Sequence, residues 1–270
     1  RILKLQIESK AVPGAVVRKK AQEAADQIEA ATGRKPGKKE TKALREDARQ
    51  ALLPMAFARQ QNVWVWIDPG RGWLVTDASS QSKNDEVITA LVDAFPGMAV
   101  SLLNTQMTPQ SSMARWLSAA DPEEWPDGLA VERECELRST DEERSVVRFT
   151  RHHLLTDEVR RHVAEGKLPT RLAMSWEGRV GFVLTESMAL RKIAFLEGVF
   201  EDRPANEEES FDSNVAIGTG ELRQVLDALI EALGGELLPG QAPALPALDT
   251  ASAAAPVTSS ASSADDGPPF

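Results

Sequence analysis

Apolar residues recur with two different periods along this chain, and no other feature of the sequence limits the fold as strongly. Residues 2–7 alternate between apolar and polar side chains, and residues 63–67 are β-branched or aromatic, so both stretches predict strands. Between Val87 and Phe95, apolar residues recur every three or four positions, which predicts an amphipathic helix. We therefore predict an α+β fold in which antiparallel sheets have flanking helices.

The same two periods predict the remaining elements. We expect further strands over residues 73–75, 99–103, 129–137, 146–150, 168–174, 180–184 and 190–195. A short helix begins at Pro109, another is capped by Thr156, and the clearest helix runs from Leu222 to Leu233. Residues 218–220 (Gly-Thr-Gly) precede this last helix and lack the spacing and lysine of a phosphate-binding loop, so we interpret them as a helix cap.

Two helices near the start of the chain surround a turn that is rich in cations. The first begins at Pro13, the second ends before Pro54, and Gly33, Pro36 and Gly37 separate them. The apolar stripe of the first helix consists mostly of alanine, which buries little area. We therefore predict a charged helical hairpin that projects from the body of the protein.

Charge is segregated along the chain, although the net charge is −10. Cations outnumber acids in residues 10–49 and again in 144–171, whereas 121–143 and 197–212 are acidic stretches that we interpret as solvated faces. A binding surface for nucleic acid is a local property, so an acidic protein can still present a basic face. The hairpin turn gathers four cations where no core needs them, and a merely soluble loop is the alternative interpretation.

Residues suited to catalysis or metal binding are few. The three histidines have no cysteine or carboxylate at zinc-ligand spacing, and no acidic run matches a calcium loop. Cys135 lies between Glu134 and Glu136, whose charges would raise the pKa of its thiol, the wrong direction for a nucleophile. We predict that the protein is not an enzyme and has no catalytic residue, cofactor or metal.

Aromatic residues give no indication of a surface that stacks on bases. The chain has no tyrosine, and its aromatic residues are not interleaved with the basic stretches. Trp64 and Trp66 lie on one side of a strand, where packing in the core explains them better than a stacking platform. Contact with backbone phosphates is the better hypothesis. The single cysteine and the absence of a signal peptide or membrane-length apolar run predict a cytoplasmic location without membrane contact.

Several segments resemble the family of recombination-associated RdgC proteins, in order and with few gaps from Ile2 to about Glu236. No single motif is diagnostic, but this collinear order is difficult to obtain by chance. The segments are 52–59 (LLPMAFAR), 66–68 (WID), 134–138 (ECELR), Val147-Arg148, 155–158 (LTDE), 165–176, 190–195 (LRKIAF) and 219–235.

The resemblance implies a ring-shaped homodimer whose positively charged central hole encloses double-stranded DNA without sequence preference. It also implies competition with the recombinase RecA for DNA, and hence a nucleoid-associated protein. The family has basic positions that match Arg34 and Arg151, and a phenylalanine at a gate between subunits that matches Phe57. The predicted DNA-binding residues, taken from the resemblance and the basic stretches together, are Arg34, Lys35, Lys38, Lys39, Arg148 and Arg151.

Two further expectations complete the sequence-based interpretation. The alternative function is a protein-interaction module that acts on RecA or another recombination factor, with DNA binding secondary. For the domains, we predict a strand of a truncated N-terminal region over residues 1–12 and the projecting basic hairpin, or tip, over 13–57. An α+β body follows over 58–238, and an Ala/Pro/Ser-rich disordered tail over 239–270.

Overall fold

The computed structural model describes residues 1–200, 207–238 and 240, and it confirms the α+β class. The described residues form six α-helices and two antiparallel sheets. The chain divides into two compact units, residues 1–102 and residues 103 onward. Each unit has a hydrophobic core of its own. The domain boundaries predicted from the sequence remain predictions.

The first unit is a three-stranded sheet with one helix against it and a helical hairpin inserted between its first two strands. Val63 and Val65 of the central strand pack with Val87 and Leu91 of the helix to form the core. The elements are β1 (Ile2–Lys10), α1 (Gly14–Thr32), α2 (Lys38–Leu52), β2 (Ala58–Asp68), β3 (Trp73–Thr76) and α3 (Gln81–Ala94), with sheet order β1-β2-β3.

The hairpin of α1 and α2 has the thin seam that its alanines predict. Ala21, Ala25 and Ala48 are the buried residues of the two helices. Strands β1 and β2 pair along their length, and Lys10 lies opposite Ala58, so the hairpin leaves from one end of this two-stranded ribbon. Helix α1 ends where Gly33 adopts a left-handed conformation (φ 71°), which a glycine adopts without steric cost.

The second unit packs helices against one face of a five-stranded sheet. Its strands run in the order β5-β4-β6-β7-β8, and its largest buried side chains include Trp116, Met113, Leu172, Leu229 and Leu233. The elements are α4 (Pro109–Ser118), β4 (Leu129–Arg138), β5 (Val146–Thr150), α5 (Asp157–Ala164), β6 (Leu168–Trp176), β7 (Val180–Thr185), β8 (Leu190–Phe195) and α6 (Glu207–Ala232). The opposite face of this sheet carries Glu134, Glu136, Arg148 and Arg171, and it is called the polar face below.

Two sequence-based assignments are wrong. Residues 99–103 form no strand, and Val100 and Leu102 stay exposed, so their apolar side chains do not belong to the core. Residues 218–220 do not cap a helix but lie inside α6, where the Thr219 hydroxyl donates to the carbonyl of Val215. Each of the two glycines makes the helix less stable than alanine would by about 1 kcal/mol. The packing of α6 against the sheet outweighs this cost.

The predicted disordered tail, 239–270, lies outside the described residues except for residue 240. Among the described residues, no helix is both long enough and apolar enough to cross a membrane.

Candidate nucleic-acid interface

The turn of the hairpin, residues 33–39, is exposed and held in shape by one ion pair. Both terminal nitrogens of Arg34 donate to the Glu40 carboxylate, at 2.9 and 2.8 Å, and the Gly37 amide donates to the same carboxylate at 2.8 Å. These bonds, from Arg34 first and then from Gly37, lower the pKa of Glu40 to about 2. The end of the Arg34 guanidinium is therefore occupied, although its side chain remains 62% exposed.

The three lysines of the turn are open to solvent. Lys35 is 82% exposed and only loosely paired with Glu29, at 3.9 Å. Lys38 and Lys39 are exposed and form no ion pair within the described part of the chain. The turn thus offers three ammonium groups that a polyanion can reach without first breaking a close ion pair.

Arg151 follows β5 directly and has an unusual backbone conformation. Its φ is 54°, in the left-handed region that non-glycine residues rarely adopt. The side chain is exposed and makes no hydrogen bond or ion pair with the residues that the structure describes. The backbone therefore presents a free guanidinium at the end of the strand.

Arg148, on β5, is held by a buried carboxylate. Its Nε donates to Glu136 at 2.7 Å, and the Thr170 hydroxyl donates to the other Glu136 oxygen at 2.8 Å. Burial alone would raise the pKa of Glu136, but the bonds from Thr170 and Arg148 and the charges of Arg148 and Arg171 outweigh it, so this pKa is lowered. Glu136 is 5% exposed, so the interpretation of residues 121–143 as a solvated face is wrong at this position.

The other glutamates on the polar face of β4 also have partners on other strands of the sheet. Glu134 accepts two bonds from the Lys192 ammonium, at 2.7 and 2.9 Å, and Glu132 accepts one from the Ser175 hydroxyl at 2.7 Å. The three glutamates of β4 are thereby bonded to donors on β5, β6 and β8.

Phe57 lies between α2 and β2 and is almost fully exposed. Its exposed fraction is 96%, and Met55 beside it is 68% exposed. Packing in the core, the default for an apolar residue, is therefore wrong for Phe57. An apolar pair this exposed is the kind of feature that marks a surface for association.

Comparison with known proteins decides the family. A family model described as "Putative exonuclease, RdgC" matches residues 1–236. The chain belongs to the RdgC family.

Relatives with this family name cover most of the chain. The recombination-associated protein RdgC of Dechloromonas aromatica is 40% identical over 243 residues, which are 88% of this chain and 79% of that protein. The protein of the same name from Herminiimonas arsenicoxydans is 43% identical over 238 residues, 87% of this chain and 78% of the relative.

In this RdgC-family chain, the predicted site residues fall into two groups. Arg34, Lys35, Lys38 and Lys39 lie together on the hairpin turn of the first unit, and Arg148 and Arg151 lie close together on β5 and just after it. The sequence did not point to Glu136 of β4 and Arg171 of β6, which lie directly opposite each other in the sheet. The alternation of polar and apolar residues in each strand is visible in the sequence, but the register that places these two residues opposite each other is not.

The two tryptophans of β2 differ from each other. Trp66 is buried, as expected, but Trp64 is 40% exposed, with the Lys4 ammonium 5.4 Å from the centre of its ring. The prediction of core packing is therefore wrong for Trp64. Its exposed face is covered in part by a cation–π contact.

Groups suited to metal binding or nucleophilic chemistry are not gathered in the described part of this RdgC chain. No cluster of three or more histidine, cysteine or acidic side chains that could hold a metal ion is found among the described residues. Cys135 is 2% exposed, and burial raises the pKa of its thiol to about 12. The predicted direction of this shift is confirmed, but its cause is burial rather than the neighbouring glutamates.

Cys135 is therefore expected to stay unmodified when the folded protein is exposed to a thiol reagent at pH 8. The thiolate is the reactive form, and a thiol with a pKa of about 12 supplies almost none of it at this pH. The measurement is the rate of reaction with Ellman's reagent, with and without denaturant. Rapid labelling of the folded protein would contradict the burial described here.

Proposed function

We propose that this protein binds double-stranded DNA without sequence preference as a ring-shaped homodimer, and that it thereby restrains RecA-dependent recombination. The observation that carries the proposal is the exposed cationic turn of residues 33–39 in a member of a family whose relatives are named recombination-associated. On this proposal the protein is nucleoid-associated and acts by occupying DNA rather than by catalysis.

The chemistry of the turn favours phosphates over bases. Lysine and arginine side chains neutralise backbone phosphates and release counterions, a contribution that is independent of sequence. Lys35, Lys38 and Lys39 are exposed, and no aromatic residue lies within the turn to stack on an unpaired base. This composition supports the binding of any duplex, with an affinity that falls steeply as salt rises.

The proposed ring needs a contact between subunits, and Phe57 is the candidate. Phe57 and Met55 expose an apolar surface that a second copy of the chain could bury. The resemblance to the family supports placing the gate of the ring at this residue. Its replacement by alanine is the natural variant for testing ring closure.

The decisive experiment is a titration of several unrelated duplexes over a series of salt concentrations. Molar mass in solution, with and without a short duplex, is measured in parallel. The proposal expects a dimer, equal affinities for the duplexes and a linear fall of log K with log salt. A flat salt response or a monomer under all conditions would contradict it.

The same protein preparations test two alternative functions, an exonuclease activity and direct binding to RecA. Magnesium-dependent release of nucleotides from the duplex would support the exonuclease description and overturn a purely binding role. A complex with RecA that survives nuclease treatment and high salt would support the protein-interaction alternative. Displacement of RecA from DNA by the protein, lost at high salt, is the outcome that our proposal expects.

Glu40→Gln is expected to tighten duplex binding about fivefold at 0.15 M salt, the amount that one phosphate contact contributes. The substitution releases both terminal nitrogens of Arg34, which Glu40 now holds, and removes a negative charge from the turn. Because the pKa of Glu40 is about 2, its carboxylate competes for Arg34 at any pH used for binding. The measurement is the dissociation constant over a salt series.

Glu46→Gln is the matched control for this change. Glu46 is an exposed acid on α2 with no hydrogen bond or ion pair in the part of the chain that the structure describes. Both variants lose one negative charge, but only Glu40→Gln releases an arginine. An equal gain in affinity for the two would show that Arg34 does not contact the duplex.

A further inference from the structure

We propose that Arg138, Arg148 and Arg171 form a contact site for the DNA phosphate backbone on the polar face of the five-stranded sheet, and that Glu136 is its positioning residue. The inference rests on the proposed binding of duplex DNA. It adds two arginines and a carboxylate, on β4 and β6, to the residues expected from the sequence.

The register of the sheet places these side chains in one row. Glu136 on β4 lies directly opposite Arg148 on β5 and directly opposite Arg171 on β6. Adjacent strands are about 4.8 Å apart, so the backbones of the two arginines are separated by roughly 10 Å. Arg138 lies two residues along β4 on the same face, with its terminal nitrogen 3.5 Å from Glu136.

Burial is distributed unequally within the cluster. The Glu136 side chain is only 7% exposed, whereas Arg148 is 69% and Arg138 is 45% exposed. Arg171 is exposed as well. A single buried carboxylate therefore pairs with Arg138 and Arg148, and Arg171 lies opposite it on the next strand, so three guanidinium groups surround one buried acid.

The contact to Arg148 leaves the end of its guanidinium open. Glu136 accepts from Nε, and the two terminal nitrogens make no bond with the described residues. Arg34 differs, because both of its terminal nitrogens are used by Glu40. Arg171 makes no hydrogen bond in the part of the chain that the structure describes. Open guanidinium ends are suited to bidentate contact with phosphate oxygens.

A carboxylate near DNA has two opposing effects on DNA affinity. The direction in which the affinity changes when Glu136 is replaced therefore distinguishes them. If Glu136 acts only through its charge, its removal must strengthen the binding of a polyanion. If Glu136 instead fixes the arginines, its removal lets their long side chains move and weakens binding. The geometry of Glu136, buried and bonded from two strands, favours the second effect.

The first experiment compares Glu136→Gln with Glu132→Gln in the dimeric protein with a 30-base-pair duplex. Glu132 lies on the same strand and bonds to Ser175, which is neutral, so its replacement removes an acid without releasing an arginine. We expect Glu136→Gln to bind about five- to thirtyfold more weakly at 0.15 M salt, with a salt slope reduced by about 0.9 to 1.8, as for one or two lost phosphate contacts. Glu132→Gln is expected to bind equally or more tightly, with an unchanged slope.

The second experiment does not require the protein to fold with a substitution at the buried position 136. Arg171→Gln removes one exposed guanidinium from the row, and Arg115→Gln removes one from α4, on the helix-covered side of the sheet. We expect Arg171→Gln to weaken binding about fivefold and to lower the salt slope by about 0.9, while Arg115→Gln leaves the slope unchanged. Thermal unfolding of each variant reports whether it is folded.

The outcomes separate this inference from the proposed function. If the unsubstituted protein binds no duplex, or binds it without salt dependence, the proposed function fails. If that protein binds as expected but Glu136→Gln folds and binds more tightly, the positioning role is overturned. If Arg171→Gln binds like Arg115→Gln, the phosphate site is overturned, whether or not Glu136→Gln folds.

Discussion

A variant in which Arg34, Lys35, Lys38 and Lys39 are all replaced by glutamine is expected to bind duplex DNA about 10²-fold more weakly at 0.15 M salt. The contacts of the three lysines are lost, whereas Arg34 is already held by Glu40. Each phosphate contact adds about 0.9 to the salt slope, which at this concentration is roughly fivefold in affinity. The three lysines lie on one exposed turn, so one stretch of DNA backbone can engage them together. The measurement is the dissociation constant between about 0.05 and 0.3 M salt.

The slope distinguishes lost contacts from a changed net charge. The fourfold variant should lose about 2.7 from the slope, because the phosphate contacts of three lysines are removed. A control with the same charge change replaces cations outside the two basic stretches. It carries glutamine in place of Arg71, Lys83, Arg115 and Arg223. If the control weakens binding as much as the turn variant, the hairpin is not the DNA contact.

Arg34 and Arg148 are each bonded to a glutamate, and these two pairs are expected to have opposite roles. Glu40 occupies the end of Arg34, where a phosphate would bind, and therefore competes with DNA. Glu136 occupies only Nε of Arg148 and leaves that end open, and therefore holds the arginine in place. An acid that bonds to the terminal nitrogens of an arginine opposes phosphate binding, whereas an acid that bonds only to Nε leaves those nitrogens available for a phosphate.

The architecture could be predicted from the sequence wherever local chemistry was sufficient. Thr156 caps α5 as expected, because its hydroxyl accepts a hydrogen bond from the Val159 amide, and the three residues 177–179 form the turn between β6 and β7. The exposed hairpin turn followed from its glycines, its proline and the alanine seam of α1. Each of these features is encoded within a few neighbouring residues.

Features that depend on strand register could not be predicted. Glu136 meets Arg171 because β4 pairs with β6, with irregularities between residues 131 and 135 and between 136 and 137. Such an irregularity in the register changes which side chains lie opposite each other, and no local sequence pattern predicts it. The same limit explains residues 99–103, which have a strand-like pattern but form no strand, and Gly218 of α6, which packs beside the ring of Phe195.

Leu172→Ala is expected to lower the free energy of unfolding of the second unit by about 2 to 5 kcal/mol. Leu172 has no exposed surface and lies in β6, the central strand, between Cys135 of β4 and Leu184 of β7. Truncation removes apolar area and leaves a cavity that a sheet paired on both sides cannot close. Native-state hydrogen exchange of the β6 and β7 amides measures the effect in this unit.

Ile193→Ala is the matched control for Leu172→Ala. Ile193 lies in β8, at the edge of the same sheet, and is 42% exposed, so its truncation leaves no enclosed cavity. We expect it to cost less than about 1 kcal/mol. Because Leu172 is adjacent in sequence to Arg171 and faces the opposite side of the sheet, the core also supports the arginine row. Equal destabilisation by the two truncations would contradict the buried core of the five-stranded sheet, and with it the rigid support that positioning by Glu136 requires.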